Sequence, residues 1–360
     1  MTRDAMLLID ALREPSSTAA LEADGWTALL AMARAEQLIG TLARRLSGLD
    51  VPETVAGILE EARVNAEYQR GSALWEADCA RRALADYPGK VVLMKGTAYA
   101  AAGLKASEGR HIGDLDIMVA RADLPQVEAM LLTAGWEWVK EDAYDDAYYR
   151  DHMHELPPLI HKMRDRMIDV HHTILPLTAQ PRPDAAAMLA DAISLNPVRP
   201  ELVEGPKGTR NRTSTSSGRT DNLCIFSPTD MVIHSAAHLF ADGELDGGLR
   251  NLWDIHCLMS EFADESFYPA LKTRAELHQL WPAVHRAVRL AHRFYGTEIP
   301  KRWQILNWQD TYFIQRLTAR DSWGRGTRKI TRLAFYGRSH WLRMPPLMLM
   351  RHLWMKWRRG

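Results

Sequence analysis

Residues 95–119, KGTAYAAAGLKASEGRHIGDLDIMV, carry near their end two aspartates, Asp114 and Asp116, that are separated by one residue inside an apolar run. Alternate residues of a β-strand face the same side, so Asp114 and Asp116 are predicted to point the same way. Two neighbouring carboxylates repel each other and lose solvation unless a cation lies between them. The spacing therefore predicts a metal site. The alternative, a solvated acidic loop, fits poorly with the apolar neighbours Leu115 and Ile117.

The order of elements around Gly96 is typical of a phosphate-binding turn. Residues 91–96, VVLMKG, predict a short buried strand that ends in a glycine turn, and residues 97–105 predict a helix directly after it. A glycine before a helix N-terminus lets backbone N–H groups approach a phosphate. Lys95 lies in this turn and Arg110 follows the predicted helix, and the alternative for each is an ordinary surface cation.

Strands and helices continue to alternate up to about residue 180. The segments that predict strands are 114–119, 136–139, 154–162 and 166–174, and a helix is predicted before Gly135. The expected fold class is α+β, with a small mixed sheet flanked by helical regions. The predicted divisions are an N-terminal helical region at 1–88, a core at 89–180, and a C-terminal helical domain at 222–360 with a basic tail rich in Trp and Met.

Residues 196–221 differ from the rest in composition, because Pro, Gly, Ser, Thr and Arg dominate and large apolar residues are almost absent. Such a segment cannot bury enough apolar surface to offset the entropy of ordering, so a disordered surface insertion is predicted. Helices return after it, with Ser227 as an N-cap and Pro228 in the first turn. A further helix is predicted over 275–296.

Composition excludes several classes of protein. Lys plus Arg and Asp plus Glu number 45 each, so the chain has no net charge that would favour binding to nucleic acid or to a membrane. Three scattered cysteines without CxxC spacing suit a reducing compartment and predict neither a disulfide framework nor a zinc site. The N-terminus has acids within its apolar stretch, and no apolar run reaches the length of a spanning helix. A cytoplasmic location is expected.

Several polar residues have two interpretations. Three pairs of histidines lie close in sequence, His152 with His154, His171 with His172, and His234 with His238, and metal binding is the disfavoured interpretation for each. His234 and His238 lie four residues apart and could bind zinc from one helix face, but helix packing is favoured because no HExxH motif accompanies them. An ion pair between Arg250 and Asp254 is favoured over contact of Arg250 with a nucleotide. The basic tail suits a docked C-terminal helix better than a membrane or RNA contact. His154 is a candidate for contacting an acceptor substrate.

A strand, the glycine turn at Gly96, a helix, Arg110 and a strand with Asp114 and Asp116 follow one another in this chain. This order of features resembles the nucleotidyltransferase superfamily to which DNA polymerase β belongs. That superfamily has a glycine turn, an Asp-x-Asp or Asp-x-Glu strand, and a third carboxylate on a later strand. Residues 90–175 are similar to a bacterial family of uncharacterised nucleotidyltransferases with the signature KG…R…DhDhhV…GY…hDhHW, in which h is apolar. They also resemble the related nucleotidyltransferase antitoxins of abortive-infection systems. This chain departs from the pattern at Thr97, at His172, and in its longer gap from Gly96 to Asp114.

The resemblance implies roles for individual residues. Asp114, Asp116 and Asp169 would be the catalytic carboxylates and the ligands of Mg²⁺ or Mn²⁺. The nucleotide would be bound by Lys95, Gly96, Thr97 and Arg110. The alternative role for Asp169 is structural: its side chain would accept a backbone hydrogen bond in a cap or turn at the end of a strand.

The implied activity is Mg²⁺-dependent transfer of a nucleoside monophosphate from a nucleoside triphosphate to an acceptor hydroxyl. A small molecule or a modified peptide is the favoured acceptor, because the core has no obvious basic groove for a polynucleotide. Two alternatives stay open. One is a toxin–antitoxin component that modifies tRNA or a partner protein, and the other is an inactive nucleotide-binding module.

Overall fold

The computed structural model describes residues 5–140, 142–195, 222–243, 245–343 and 350, without the side chains of residues 143–145 and 242. The predicted insertion at 196–221 and nearly all of the tail after residue 343 lie outside these residues. Between residues 5 and 88 the chain is helical, as predicted. The helices are α1 (Met6–Arg13), α2 (Ala23–Ala35), α3 (Ile39–Arg45) and the long α4 (Glu53–Ala83), which follows Pro52.

The middle of the chain alternates strands and helices as the sequence predicted. Its elements are β1 (Val91–Leu93), α5 (Lys95–Ala101), β2 (Leu115–Met118), α6 (Leu124–Thr133), β3 (Trp136–Trp138), α7 (Ala143–His152), β4 (Leu159–His161), β5 (Met167–His171), α8 (Ala185–Ala190), β6 (Ile193–Ser194) and β7 (Leu223–Ile225). Asp114 lies just before β2, whereas Asp116 lies within it.

The C-terminal part is again helical. Its helices are α9 (Pro228–Ala237), α10 (Gly248–Phe262), α11 (Phe267–Leu277), α12 (Trp281–Tyr295), α13 (Asp310–Leu317) and α14 (Lys329–Arg343). The Ser227 side chain accepts a hydrogen bond from the backbone N–H of Asp230, which confirms the predicted N-cap. Short 3-10 helices cover Pro15–Ala20, Lys105–Ser107, Arg121–Asp123 and Lys301–Trp303, and a π-helix covers His238–Asp242.

Within the described residues, the seven strands form one mixed sheet in the order β3-β4-β5-β2-β1-β7-β6. The β2–β5 and β1–β7 pairs are parallel, and the other neighbours are antiparallel. The expected α+β class with a mixed sheet and helical flanks is confirmed. β6 and β7 lie beyond residue 180, so the sheet extends past the predicted core; the division into domains stays a prediction.

The three regions share one hydrophobic core. Buried residues of the N-terminal helices, such as Leu29, belong to the same cluster as Ile117 of β2 and Leu252 of α10. This packing holds the polar edge of the sheet against helices from both ends of the chain. In the described part of the chain, no helix combines the length and apolarity that crossing a bilayer requires.

Candidate active site

Three carboxylates meet at the junction of two parallel strands. Asp116 in β2 lies directly opposite Asp169 in β5, and Asp114 immediately precedes β2. Residues paired in register project to the same face of a sheet, so the two strand aspartates lie side by side. One ligand oxygen from each of the three aspartates lies within 4.8 Å of the others. The structure therefore brings together the three aspartates that the sequence singled out.

Asp116 is the charged centre of this group. Its side chain is buried, and its Oδ1 lies 2.7 Å from Lys95 Nζ and 3.0 Å from His171 Nε2. Burial alone would raise the pKa of Asp116, but the charge of Lys95 and the hydrogen bonds from His171 and Lys95 outweigh it and hold the pKa well below its ordinary value. Asp116 is therefore an anion that can bind a cation at any physiological pH.

Asp169 has the opposite electrostatics. Burial, and then the negative charges of Asp116 and Glu155, raise its pKa from 3.8 to about 7. Its Oδ1 is buried and has no hydrogen-bond partner among the described residues. A buried carboxylate oxygen without a partner is costly, and a bound cation would remove that cost.

The three side chains fit a hard divalent cation. Mg²⁺ and Mn²⁺ prefer oxygen ligands, and Mg²⁺ is usually held by one or two carboxylates together with substrate phosphates. Asp114 is exposed and Asp116 is buried, so the group extends from the sheet to the surface. Both aspartates line a cleft, where a metal ion could also contact a bound phosphate.

The first turn of α5 places Lys95 and Gly96 beside the carboxylates. Lys95 has a left-handed backbone, with φ of 48°, which is rare for a residue with a side chain and costs conformational energy. This conformation accompanies the contact of its ammonium group with Asp116. A Cβ atom on Gly96 would lie 2.2 Å from Arg110 Nη1, so any other residue at this position would displace that guanidinium. Thr97 is almost fully buried, with 1% of its surface exposed.

A cleft of about 570 Å³ opens next to the carboxylates. Lys95, Gly96 and Arg110 line it together with residues from α2, α9 and α10. Its volume lies within the range of pockets that bind drug-sized molecules and cofactors. The cleft is therefore formed jointly by the sheet and by helices from both flanking regions.

Two arginines share one carboxylate on the wall of this cleft. Arg110 Nε lies 3.1 Å from Asp254 Oδ2, and Arg250 Nη1 lies 3.2 Å from Asp254 Oδ1. The Arg250–Asp254 ion pair expected from the i, i+4 spacing is thus present. Arg250 also donates to Thr41 Oγ1 at 2.6 Å and to the Gln37 carbonyl at 2.9 Å. The network ties α10 to the N-terminal helices and carries one net positive charge.

The histidines occupy different environments. His234 is buried on α9 with its ring against Phe226, and His238 lies near Asn251. Among the described residues, the two groups that could hold a metal are the aspartate trio and a group of His154, Glu155 and His171, so His234 and His238 belong to neither. His154, the candidate acceptor contact, packs against His171, and its role in acceptor binding stays a prediction.

The sequence pointed to His171 only as a neighbour of His172, and neither its contact with Asp116 nor the contact of Arg110 with Asp254 was predicted. A signal for His171 was present, because it follows Asp169 by two residues in a predicted strand and so shares its face. No local signal pointed to the contact of Arg110 with Asp254, which lie 144 residues apart in the chain.

The comparisons with known proteins agree with this geometry. The model of a family described as "Uncharacterised nucleotidyltransferase" matches residues 22–296, which is more than half of the chain. Comparisons with curated proteins and with solved structures gave no significant match. Nucleotidyltransferases take a nucleoside triphosphate as substrate and generally use a divalent metal, for which acidic clusters are present. The chain belongs to this family, as its sequence motifs predicted, and it is an enzyme that transfers phosphorus-containing groups.

Proposed function

We propose that the enzyme transfers a nucleoside monophosphate from a nucleoside triphosphate to a hydroxyl group of a small molecule or a modified peptide. In this proposal Asp114, Asp116 and Asp169 hold Mg²⁺. The observation that carries it is the parallel register that sets Asp116 opposite Asp169, with Asp114 one residue before the strand. This arrangement supplies an all-carboxylate ligand set at the edge of a cleft of nucleotide size.

The reaction is a substitution at phosphorus. The acceptor oxygen forms a bond to the α-phosphorus, the bond from that phosphorus to the oxygen bridging to the β-phosphate breaks, and pyrophosphate leaves. Mg²⁺, when bound, would offset charge on the phosphates and lower the pKa of the acceptor hydroxyl. Lys95 and Arg110 line the cleft beside the aspartates, where their charges favour the triphosphate.

Asp169 is the residue that takes up the proton of the acceptor hydroxyl. A carboxylate within hydrogen-bond reach of a reacting hydroxyl group can act as a general base. The unpartnered Oδ1 of Asp169 is an acceptor atom that the protein leaves without a hydrogen bond in the described residues. The proton therefore moves from the acceptor oxygen to the Asp169 carboxylate as the new bond forms.

The charges of the cleft favour a small acceptor over a polynucleotide. Arg250 is paired with Asp254, and Arg320 lies 2.8 Å from Glu36. A groove for a nucleic-acid backbone needs a row of cations that contact phosphates, whereas these arginines already contact protein carboxylates. A small molecule or a peptide side chain makes no such demand.

The proposal is tested by transfer of label from each of the four α-³²P nucleoside triphosphates. The enzyme is incubated with Mg²⁺ and, separately, with small-molecule extract, ribosomally made peptides, tRNA or cellular protein. We expect label on a small molecule or peptide, with release of pyrophosphate. The label should be lost with Asp169→Asn and retained with Asp151→Asn, which changes an exposed aspartate on α7.

The other results would contradict the proposal in distinct ways. If label appears only on tRNA or on a cellular protein, the chain would instead be a toxin–antitoxin component that modifies that molecule. If no triphosphate binds or reacts in any mixture, the chain would be an inactive module.

A further inference from the structure

A second group of potential metal ligands lies behind the aspartates. Residues 154–156 run alongside β5, where Glu155 forms an isolated β-bridge with His171. The His172 N–H donates to the His154 carbonyl at 2.9 Å, and the Leu156 N–H donates to the Val170 carbonyl at 2.9 Å. Directly opposed residues of paired segments point to the same face, so this pairing holds Glu155 against His171.

The distances in this group match those of a tetrahedral site. Glu155 Oε2 lies 3.3 Å from His171 Nδ1 and 3.7 Å from His154 Nε2. Zinc bonds of about 2.0–2.1 Å at tetrahedral angles place neighbouring ligand atoms about 3.3 Å apart. One donor atom from each of the three residues lies within 4.8 Å of the others. A metal ion could therefore be bound with small side-chain shifts.

The hydrogen bonding of His171 supports the same conclusion. His171 Nε2 lies 3.0 Å from Asp116 Oδ1, and histidines that bind a metal commonly donate their other ring N–H to a carboxylate. With Nε2 as the donor, a neutral His171 turns the lone pair of Nδ1 toward the carboxylate of Glu155. The two acceptors repel each other unless a cation, either a proton or a metal ion, lies between them. His171 Nδ1 has no hydrogen-bond partner of good geometry in the described residues.

The environment also suits neutral imidazole ligands. The side chain of His171 is 4% exposed, and those of His154 and Glu155 are each 16% exposed. Burial is the main cause that holds the pKa of His154 well below its ordinary value. Imidazole keeps its ring nitrogen available for a metal when it is unprotonated.

We propose that His154, Glu155 and His171 bind Zn²⁺ in a site separate from the aspartate trio. Two imidazoles and one carboxylate are a ligand set that zinc takes in proteins, whereas Mg²⁺ prefers oxygen ligands alone. The hydrogen bond from His171 makes Asp116 an outer partner of this zinc, so the site fixes the orientation of a residue that also faces the cleft. The proposal does not depend on nucleotidyl transfer, because its readout is metal binding.

The first test measures zinc in metal-stripped protein after dialysis against Zn²⁺ with a large excess of Mg²⁺, by elemental analysis. We expect about one zinc per chain in the wild type and in two control variants, Asp114→Asn and His152→Gln. Zinc should fall at least tenfold in His154→Gln and Glu155→Gln, with circular dichroism confirming that both variants fold. Zinc that is absent from the wild type, or retained in both ligand variants, overturns the proposal, and so does zinc lost with Asp114→Asn.

The second test needs no variant. Co²⁺ is added to the metal-stripped wild type, since four-coordinate Co²⁺ with imidazole ligands absorbs visible light far more strongly than octahedral Co²⁺ with oxygen ligands. We expect the strong four-coordinate spectrum, which one equivalent of Zn²⁺ removes and excess Mg²⁺ does not. A weak octahedral spectrum, or removal by Mg²⁺, would mean that a proton rather than a metal lies between His171 and Glu155.

Discussion

The raised pKa of Asp169 predicts an unusual dependence of stability on pH. In the folded protein its carboxyl group titrates near 7, compared with 3.8 for an ordinary aspartate. Between these values the folded state holds a proton that the unfolded state has released, so the free energy of unfolding falls as pH rises. Well below pH 4 Asp169 is protonated in both states, so its ionisation no longer affects the free energy of unfolding.

The size of the effect follows from the shift. A pKa difference of one corresponds to about 1.4 kcal/mol. The difference for Asp169 is about three, so its raised pKa lowers the free energy of unfolding by about 4 kcal/mol once the residue is ionised in both states. Asp169→Asn removes the titrating group but keeps the shape of the side chain. We expect the variant to be more stable than the wild type by about 2 kcal/mol at pH 5 and by about 4 kcal/mol at pH 8, without metal.

Urea denaturation at pH 5 and pH 8 in the presence of a chelator measures this difference. Asp151→Asn is the matched control, because it makes the same chemical change at an exposed position and should alter neither value. Mg²⁺ at pH 8 should stabilise the wild type and have little effect on Asp169→Asn, since the cation offsets the same repulsion. An advantage of the variant that stays constant between pH 5 and pH 8 would refute this account of Asp169.

Three further predictions concern the cleft and its supports. Gly96→Ala should weaken triphosphate binding at least tenfold in calorimetry, because its Cβ displaces the Arg110 guanidinium; the control Gly57→Ala meets open space, and equal affinities would contradict the reasoning. Asp254→Asn removes the carboxylate that forms the ion pairs with both Arg110 and Arg250 in the described residues, and should lower the free energy of unfolding by about 3–5 kcal/mol in urea titrations; a loss below 1 kcal/mol would refute it. Ser227→Ala removes the N-cap of α9 and should cost about 1 kcal/mol in the same assay, whereas no loss would show that the cap is dispensable.

Local sequence patterns predicted the elements that carry the site. The β-branched run before Gly96 and the alternation around Asp116 each reflect a strand buried on at least one face, and both strands are present. The N-cap at Ser227 was equally clear, because capping depends on residues three positions apart. These features could be predicted because the interactions that cause them are short in sequence.

The parts that were missed depend on packing between distant segments. The family resemblance assigned Lys95 to the nucleotide, and that role stays a prediction. The contact of its ammonium group with Asp116, at 2.7 Å, was not predicted, because only the folded turn reveals it. Helix α7 received no prediction, since its charged and aromatic residues show little periodicity. The single helix expected over 275–296 was wrong, because the chain breaks at Gln279, with φ of 58°, and α12 begins beside Pro282.

The arrangement of the three aspartates lies between these cases. The proximity of Asp114 to Asp116 follows from their spacing in the sequence. Their proximity to Asp169 requires the parallel pairing of β2 with β5. No periodicity in the chain specifies which strands become neighbours. The resemblance to a known family supplied that expectation, and the register of the two strands now gives it a physical basis.

The most direct test of the central claim is calorimetric titration of ATP, GTP, CTP and UTP, each with Mg²⁺, into the wild type and Asp114→Asn. Asp114 is exposed, so its substitution leaves the core intact while it removes one of the three carboxylates. The account predicts that at least one triphosphate binds the wild type only when Mg²⁺ is present, and that Asp114→Asn weakens this binding at least tenfold. Equal binding to both proteins, or no binding of any triphosphate to the wild type, would contradict it.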